Sequence, residues 1–248
     1  MVKDGIHWGA FVGITAAHLA AEGFTGIPSV LAKTDQSERM STLGKEWWIG
    51  RLYYKFYPCC RWAQPPISGV LKLLGENSLD ANQIDTIEVQ TFDAATHLTT
   101  RRPSNTEEAQ YSLPYPVACA VVRGKVGVEE ITNLTDPEIL DISDRVQISL
   151  DNELEKRFPA EALAKVIIQT TDGRRIETGP GSAPGDQNVT LGDLERKCRE
   201  LVDPVRGDGF GDRVIEAVRK CSDCDSVNAL CECLGDAESP RSNVPGSK

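Results

Sequence analysis

The run Lys55-Phe-Tyr-Pro-Cys-Cys places an ammonium group shortly before a proline that fixes the backbone. A lysine anchored by such a turn can aim its charge at a carboxylate in a buried cavity. The plainer alternative is a solvated lysine beside an aromatic cluster, since lysine is rarely buried. The adjacent Cys59 and Cys60 could act as nucleophiles, but no His and Asp partners stand near them, and two vicinal thiols chelate metal poorly. Cys221-x-x-Cys224 followed by Cys231-x-Cys233 offers four more thiols as a zinc alternative. The second spacing is tight and the stretch reads as helical, so these cysteines are expected to be packed thiols and no metal site is assigned. His7 can carry a proton near neutral pH, or simply cap and pack a helix start. The GDGFG run at 207–211 follows no strand, which makes it a loop rather than a dinucleotide fingerprint.

Composition narrows the partners. The 248 residues carry 37 acidic and 27 basic side chains, a net charge of -10, with the basic residues dispersed. Nucleic acid is thereby excluded as an expected partner. An enzyme for small carboxylates would need local positive potential inside this acidic envelope. At 40% hydrophobic content the chain can bury one or two cores. No apolar run approaches the roughly 20 residues that cross a bilayer, and the first residues do not show a charged segment followed by a hydrophobic core and cleavage site. A cytoplasmic protein with free thiols and no membrane contact is the expectation.

The elements that must position these residues follow from periodicity and punctuation. Residues 7–22, HWGAFVGITAAHLAAE, suit a closely packed buried helix ended by Gly23. The aromatic stretch EWWIGRLYYKFY at 46–57 is expected at an interior junction. Pro65 and Pro66 open a helix that runs to Gly75, and IDTIEVQTFD alternates from Ile84 as a half-buried strand. AQYSLPYPVACAVVRG at 109–124 reads as a buried helix with Pro114 and Pro116 near its start, and a short helix follows at about 137–143. Strands are expected at 145–150 and 164–171, and Asp172-Gly173 turns the second into a hairpin with 174–178. Thr190 caps a helix through LGDLERKCRELV, and another spans about 212–220. The resulting class is α+β. It comprises a helical remnant over 1–60, a compact α+β domain over 61–189, a helical return over 190–235 and a disordered tail over 236–248. The apolar faces of 7–22 and 191–202 need a shared partner, so the flanking helices are expected to approach each other.

Four stretches together resemble the MmgE/PrpD family, which includes the 2-methylcitrate dehydratases. They are 3–26 (KDGIHWGAFVGITAAHLAAEGFTG), 55–60 (KFYPCC), 109–124 (AQYSLPYPVACAVVRG) and 185–197 (GDQNVTLGDLERK). Their order and spacing carry the likeness, which maps to the family's second half. The resemblance implies an α+β domain inserted in an all-helical domain whose N-terminal part is missing here. It also implies a lyase acting on small di- or tricarboxylates by proton abstraction and elimination. The family's reactions are dehydration of 2-methylcitrate in propionate metabolism, decarboxylation of cis-aconitate and epimerisation of iminodisuccinate. No metal or organic cofactor is implied, and a homo-oligomer, a dimer, is expected.

By the same resemblance Lys55 and Lys3 match family lysines that neutralise substrate carboxylates, and Tyr115 matches a tyrosine that donates or relays a proton. These three form the expected catalytic set. Arg61, Arg102, Cys60, Gln64 and His7 are expected to contact substrate, with Tyr111 and Ser112 as lining or packing residues. Cys60 and Gln64 stand where family members carry histidine, which changes a proton-transfer contact, at Gln64 to a neutral amide. A core tyrosine with a satisfied hydroxyl and a solvated terminal lysine are the structural alternatives for Tyr115 and Lys3. The family's remaining acid-base residues fall in the missing half, so the chain is expected to be truncated and inactive alone. The competing expectation is a catalytically dead fragment or binding module that associates with a full-length relative.

Overall fold

The computed structural model describes residues 5–27, 41–42, 44–185 and 189–235, without the side chains of Ile6, His7 and Trp48. The chain divides into two compact units, Met1–Leu52 and Tyr53–Lys248. The tail expected to be disordered and Lys3 lie outside the described residues.

In the first unit, α1 (Ile6–Ala21) forms where the sequence predicts it, with Gly23 at φ 86° just past its end. It is not buried as expected: Trp8 and Phe11 are each 63% exposed. A helix apolar on all sides needs cover all round. The described residues of this unit add only a 3-10 turn, Trp48–Arg51, in which Ile49 is 73% exposed. Of the aromatic stretch placed at an interior junction, Trp47, Ile49, Tyr53 and Tyr54 are instead exposed, while Phe56 and Tyr57 at its end are half-buried.

The second unit begins its core with α2 (Gln64–Asn77), whose first turn carries the two prolines and whose stripe Ile67, Val70 and Leu73 is buried. It is followed by β1 (Ile84–Thr91), a single turn α3 (Asp93–Thr96), α4 (Thr106–Gln110) and α5 (Pro114–Arg123). The expected helix over 109–124 is thus split. Pro114 and Pro116 have no N–H to give and fit only a first turn, so a new helix must start there. Ser112 bridges the break: its hydroxyl accepts from the Tyr115 N–H at 2.9 Å and donates to the Thr100 carbonyl at 2.5 Å.

Next come α6 (Val128–Thr132), α7 (Pro137–Asp144), β2 (Val146–Leu150), α8 (Asn152–Glu155), β3 (Ala164–Thr170) and β4 (Arg175–Glu177). The strands form one mixed sheet in the order β2-β1-β3-β4, with β1 parallel to β2 and antiparallel to β3. The Asp172-Gly173 hairpin forms as read, Gly173 standing at φ 87°. The inward residues Ile87, Val89, Val166 and Ile168 share one core with α2 and α5. The opposite face is polar, where Glu88 accepts from Gln90 and Ser149 at 2.9 Å each. Gly69 lets α2 lie close on β3, since a Cβ there would stand 2.8 Å from Val166 Cγ2. This is an α+β fold with helices on one sheet face.

The chain then returns to helix through α9 (Leu191–Arg206), α10 (Phe210–Lys220) and α11 (Asn228–Gly235). Thr190 and Asp193 cap α9 reciprocally, with Thr190 Oγ1 accepting from the Asp193 N–H at 3.2 Å and Asp193 accepting from the Thr190 N–H at 3.0 Å. The GDGFG run is the turn between α9 and α10, and it buries Phe210 beneath the guanidinium groups of Arg206 and Arg213.

Candidate functional site

Three stretches far apart in sequence meet around residues 53–60. The Cys60 N–H donates to the Gln110 carbonyl at 2.7 Å, and the Tyr54 N–H donates to the Gly185 carbonyl at 3.1 Å. Gly185 is required for that second approach. It sits at φ 95°, and a Cβ on it would fall 2.0 Å from the Tyr54 carbonyl oxygen and 3.0 Å from the Phe56 ring. The turn thus joins the end of α4 on one side and Gly185 on the other.

The same turn wraps around Gln64. This side chain is fully buried: it accepts from the Phe56 N–H at 3.2 Å and donates to the carbonyls of Tyr57 at 3.2 Å and Cys59 at 3.5 Å. An amide can accept and donate at once, which an extended segment with both backbone polarities facing inward needs. Gln64 was expected to touch substrate; the structure gives it a scaffolding place with no free surface. Tyr57, half-buried, hydrogen-bonds Ser68, and burial pushes its phenol above the ordinary range.

On this scaffold Lys55 is exposed. Lys197, two turns into α9, is partly buried and lies within electrostatic reach of it. Partial burial and then the Lys55 charge hold the Lys197 ammonium below the usual lysine range. Neither lysine forms an ion pair among the described residues, whereas Lys72, Lys125, Lys156, Lys165 and Lys220 of the same unit each do. Lys197 closes the GDQNVTLGDLERK stretch, but no role is assigned to it from sequence. The signal was its place at the end of that motif.

The other expected site residues fall elsewhere or turn inward. Tyr115 is fully buried, and its hydroxyl donates to the carbonyls of Asn133 at 2.6 Å and Glu130 at 3.3 Å. Burial pushes its phenol far up, so the structural alternative describes it better than proton transfer. Arg102 is held by Asp144 through Nε at 3.0 Å and Nη2 at 2.6 Å, so its charge is already answered away from Lys55. The Arg61 guanidinium lies 4.2 Å from the centre of the Tyr53 ring, next to the turn. Cys60 is half-buried beside it. Cys59 is 3% exposed, and burial pushes its thiol far up, which removes it as a nucleophile. Tyr111 is exposed and Ser112 buried. The His7 side chain lies outside what is described.

Among the described residues no three or more His, Cys, Asp or Glu side chains gather to hold a metal ion, so Cys221, Cys224, Cys231 and Cys233 are not brought together as a zinc site. No described helix is long and apolar enough to cross a membrane.

Fold and site together define an α+β domain that presents a cationic corner where three distant stretches meet. The sequence profile of the MmgE/PrpD C-terminal domain matches residues 57–223, and the chain belongs to that family. The match takes in the whole sheet and the helical return as far as the end of α10, and begins two residues after Lys55. No curated protein matches the chain.

Proposed function

We propose that this chain binds small di- or tricarboxylates at the Lys55 corner and serves lyase chemistry of the 2-methylcitrate dehydratase type. One observation carries the reading: in a chain of net charge -10, Lys55 stands on a turn pinned from three sides and has no ion-pair partner among the described residues. An ammonium so held lowers the free energy of a carboxylate, and more so of the extra negative charge that builds when a neighbouring carbon gives up its proton. In dehydration that C–H bond and the C–O bond of the hydroxyl break, a carbon–carbon double bond forms, and water leaves. Lys55 is proposed to hold the carboxylate during this step, with Arg61 beside it.

A second reading is a carboxylate-binding module without turnover of its own, and Tyr115 favours it. A phenol spent on two backbone carbonyls is a poor proton donor to a substrate. The two readings part in an assay of the purified chain with 2-methylcitrate, following the ultraviolet absorbance of the new double bond. Turnover that Lys55→Met abolishes supports the lyase. Binding of 2-methylcitrate without turnover, weakened by Lys55→Met, supports the module, and binding indifferent to Lys55→Met removes both.

A further inference from the structure

We propose that Cys221 and Cys224 form a thiol–disulfide exchange site that takes small disulfides as its substrates. The proposal does not depend on the carboxylate reading of Lys55. Against the expectation of packed thiols, Cys224 and Cys231 are exposed and Cys221 and Cys233 half-buried. The backbone between Cys221 and Cys224 sets that pair apart. At Lys220 α10 ends and passes into a single 3-10 turn, Cys221–Asp223, with Cys224 following in extended conformation. A 3-10 helix repeats every three residues and rises about 2.0 Å per residue, so residues i and i+3 stand on one side, roughly 6 Å apart. That separation lies inside the range of about 4.4–6.8 Å over which two cysteine Cα atoms can be bridged. Cys231 and Cys233 have no such relation, because residues two apart on a helix such as α11 point to different sides.

The turn is held from the α10 side. Arg219 binds Glu195 of α9, and the Ser222 hydroxyl donates to the Arg219 carbonyl at 3.2 Å. The Cys221 thiol donates to the Ala217 carbonyl at 3.3 Å, a weak bond that a sulfur gives up readily. Cys59 and Cys119 are the contrast: both are sealed in the core, and burial pushes the Cys119 thiol up to about 12. The family profile ends at Asp223, so Cys224 lies past the part of the chain on which the lyase reading draws. With glutathione disulfide as substrate, the exposed Cys224 attacks as thiolate. The glutathione S–S bond breaks, one glutathione leaves and takes up a proton, and a mixed disulfide stands on Cys224. Cys221 then gives its proton to water and attacks the Cys224 sulfur, and the second glutathione leaves. The protein dithiol has lost two hydrogens with their electrons, and the disulfide has been reduced to two thiols. The second step is fast because the turn keeps Cys221 at high effective concentration beside Cys224.

The test is to incubate the reduced full chain with glutathione disulfide, alkylate the remaining thiols, cleave before aspartate and analyse the peptides by mass spectrometry. Cleavage before Asp223 and Asp225 separates Cys221, Cys224 and the segment holding Cys231 and Cys233. The expected product is a Cys221–Cys224 cross-link that dithiothreitol removes. Cys221→Ser should instead hold glutathione on Cys224, at least about tenfold more than the natural chain does, because the resolving thiol is gone. Cys231→Ser should leave the cross-link intact. Circular dichroism checks that each variant is folded. A cross-link from Cys224 to Cys231 or Cys233, a link between two chains, or no loss of thiols overturns the proposal. So does glutathione retained equally by the natural chain and Cys221→Ser.

Discussion

Gly185→Ala is the sharpest perturbation of the proposed site, because it leaves every charged residue in place and attacks only the junction. The added Cβ would meet the Tyr54 carbonyl oxygen at 2.0 Å, so the two strands of chain must separate by roughly 1 Å or more to reach ordinary contact. Alanine at φ 95° adds a conformational cost of about 1–2 kcal/mol. Loss of the 3.1 Å hydrogen bond from the Tyr54 N–H adds about 1 kcal/mol. The sum is about 2–3 kcal/mol, which for a chain of this size lowers the thermal midpoint by about 4–12 °C. Circular dichroism melts and urea midpoints measure it. Gly75→Ala is the control: its site on α2 is open, with nothing within 4 Å of an added Cβ, so alanine should raise stability by up to about 1 kcal/mol. A Gly185→Ala loss below about 0.5 kcal/mol would refute the close approach that pins the Lys55 turn.

Three further outcomes follow from other parts of the unit. Tyr115→Phe should cost about 1–3 kcal/mol by leaving the Asn133 and Glu130 carbonyls without their donor, with no selective loss of carboxylate binding; a binding defect at unchanged stability would restore Tyr115 to the site. Cys59, whose thiol is buried and pushed up, should stay protonated and resist iodoacetamide at neutral pH while the exposed Cys224 reacts, and mass spectrometry showing equal labelling would contradict this. The Asp151 carboxyl is held below its usual range by Lys165 first and, against the opposing effect of burial, by the N–H groups of Leu154 and Glu153. A depressed carboxylate stabilises above its unfolded pKa, near 3.9, and the gain is lost as pH falls through the lower folded value. Asp151→Asn should therefore destabilise by about 1 kcal/mol at neutral pH, with the gap to the natural chain closing in acid as Asp151 takes up its proton. A gap that persists in acid would mean that packing rather than charge is responsible.

What could be read from the sequence was whatever local chemistry decides. The Thr190–Asp193 cap, the Asp172-Gly173 turn, the alternation through Ile87 and Val89 and the prolines opening α2 all declare themselves within a few residues. The turn of the KFYPCC run was legible for the same reason, because its proline marks it within a few residues. The bonding partners of Tyr115 and Gln64 were not legible, because they are carbonyls, at Asn133 and Tyr57, that no local pattern announces. The same holds for Arg102, whose partner Asp144 lies 42 residues away. Lys197 was passed over because the charge that holds its ammonium down, that of Lys55, belongs to a segment distant in sequence. The helix over 7–22 formed as predicted, but its burial was inferred from an apolar face, and an apolar face shows only that cover is needed.

The most direct test of the central claim is a titration of the labelled chain with tricarballylate followed residue by residue in amide NMR spectra. A carboxylate site at Lys55 predicts shifts concentrated at 54–60 and at Gly185, and their disappearance in Lys55→Met. Shifts that persist unchanged in Lys55→Met, or that gather instead around Lys125 and Arg123 at the C-terminal end of α5, would contradict it.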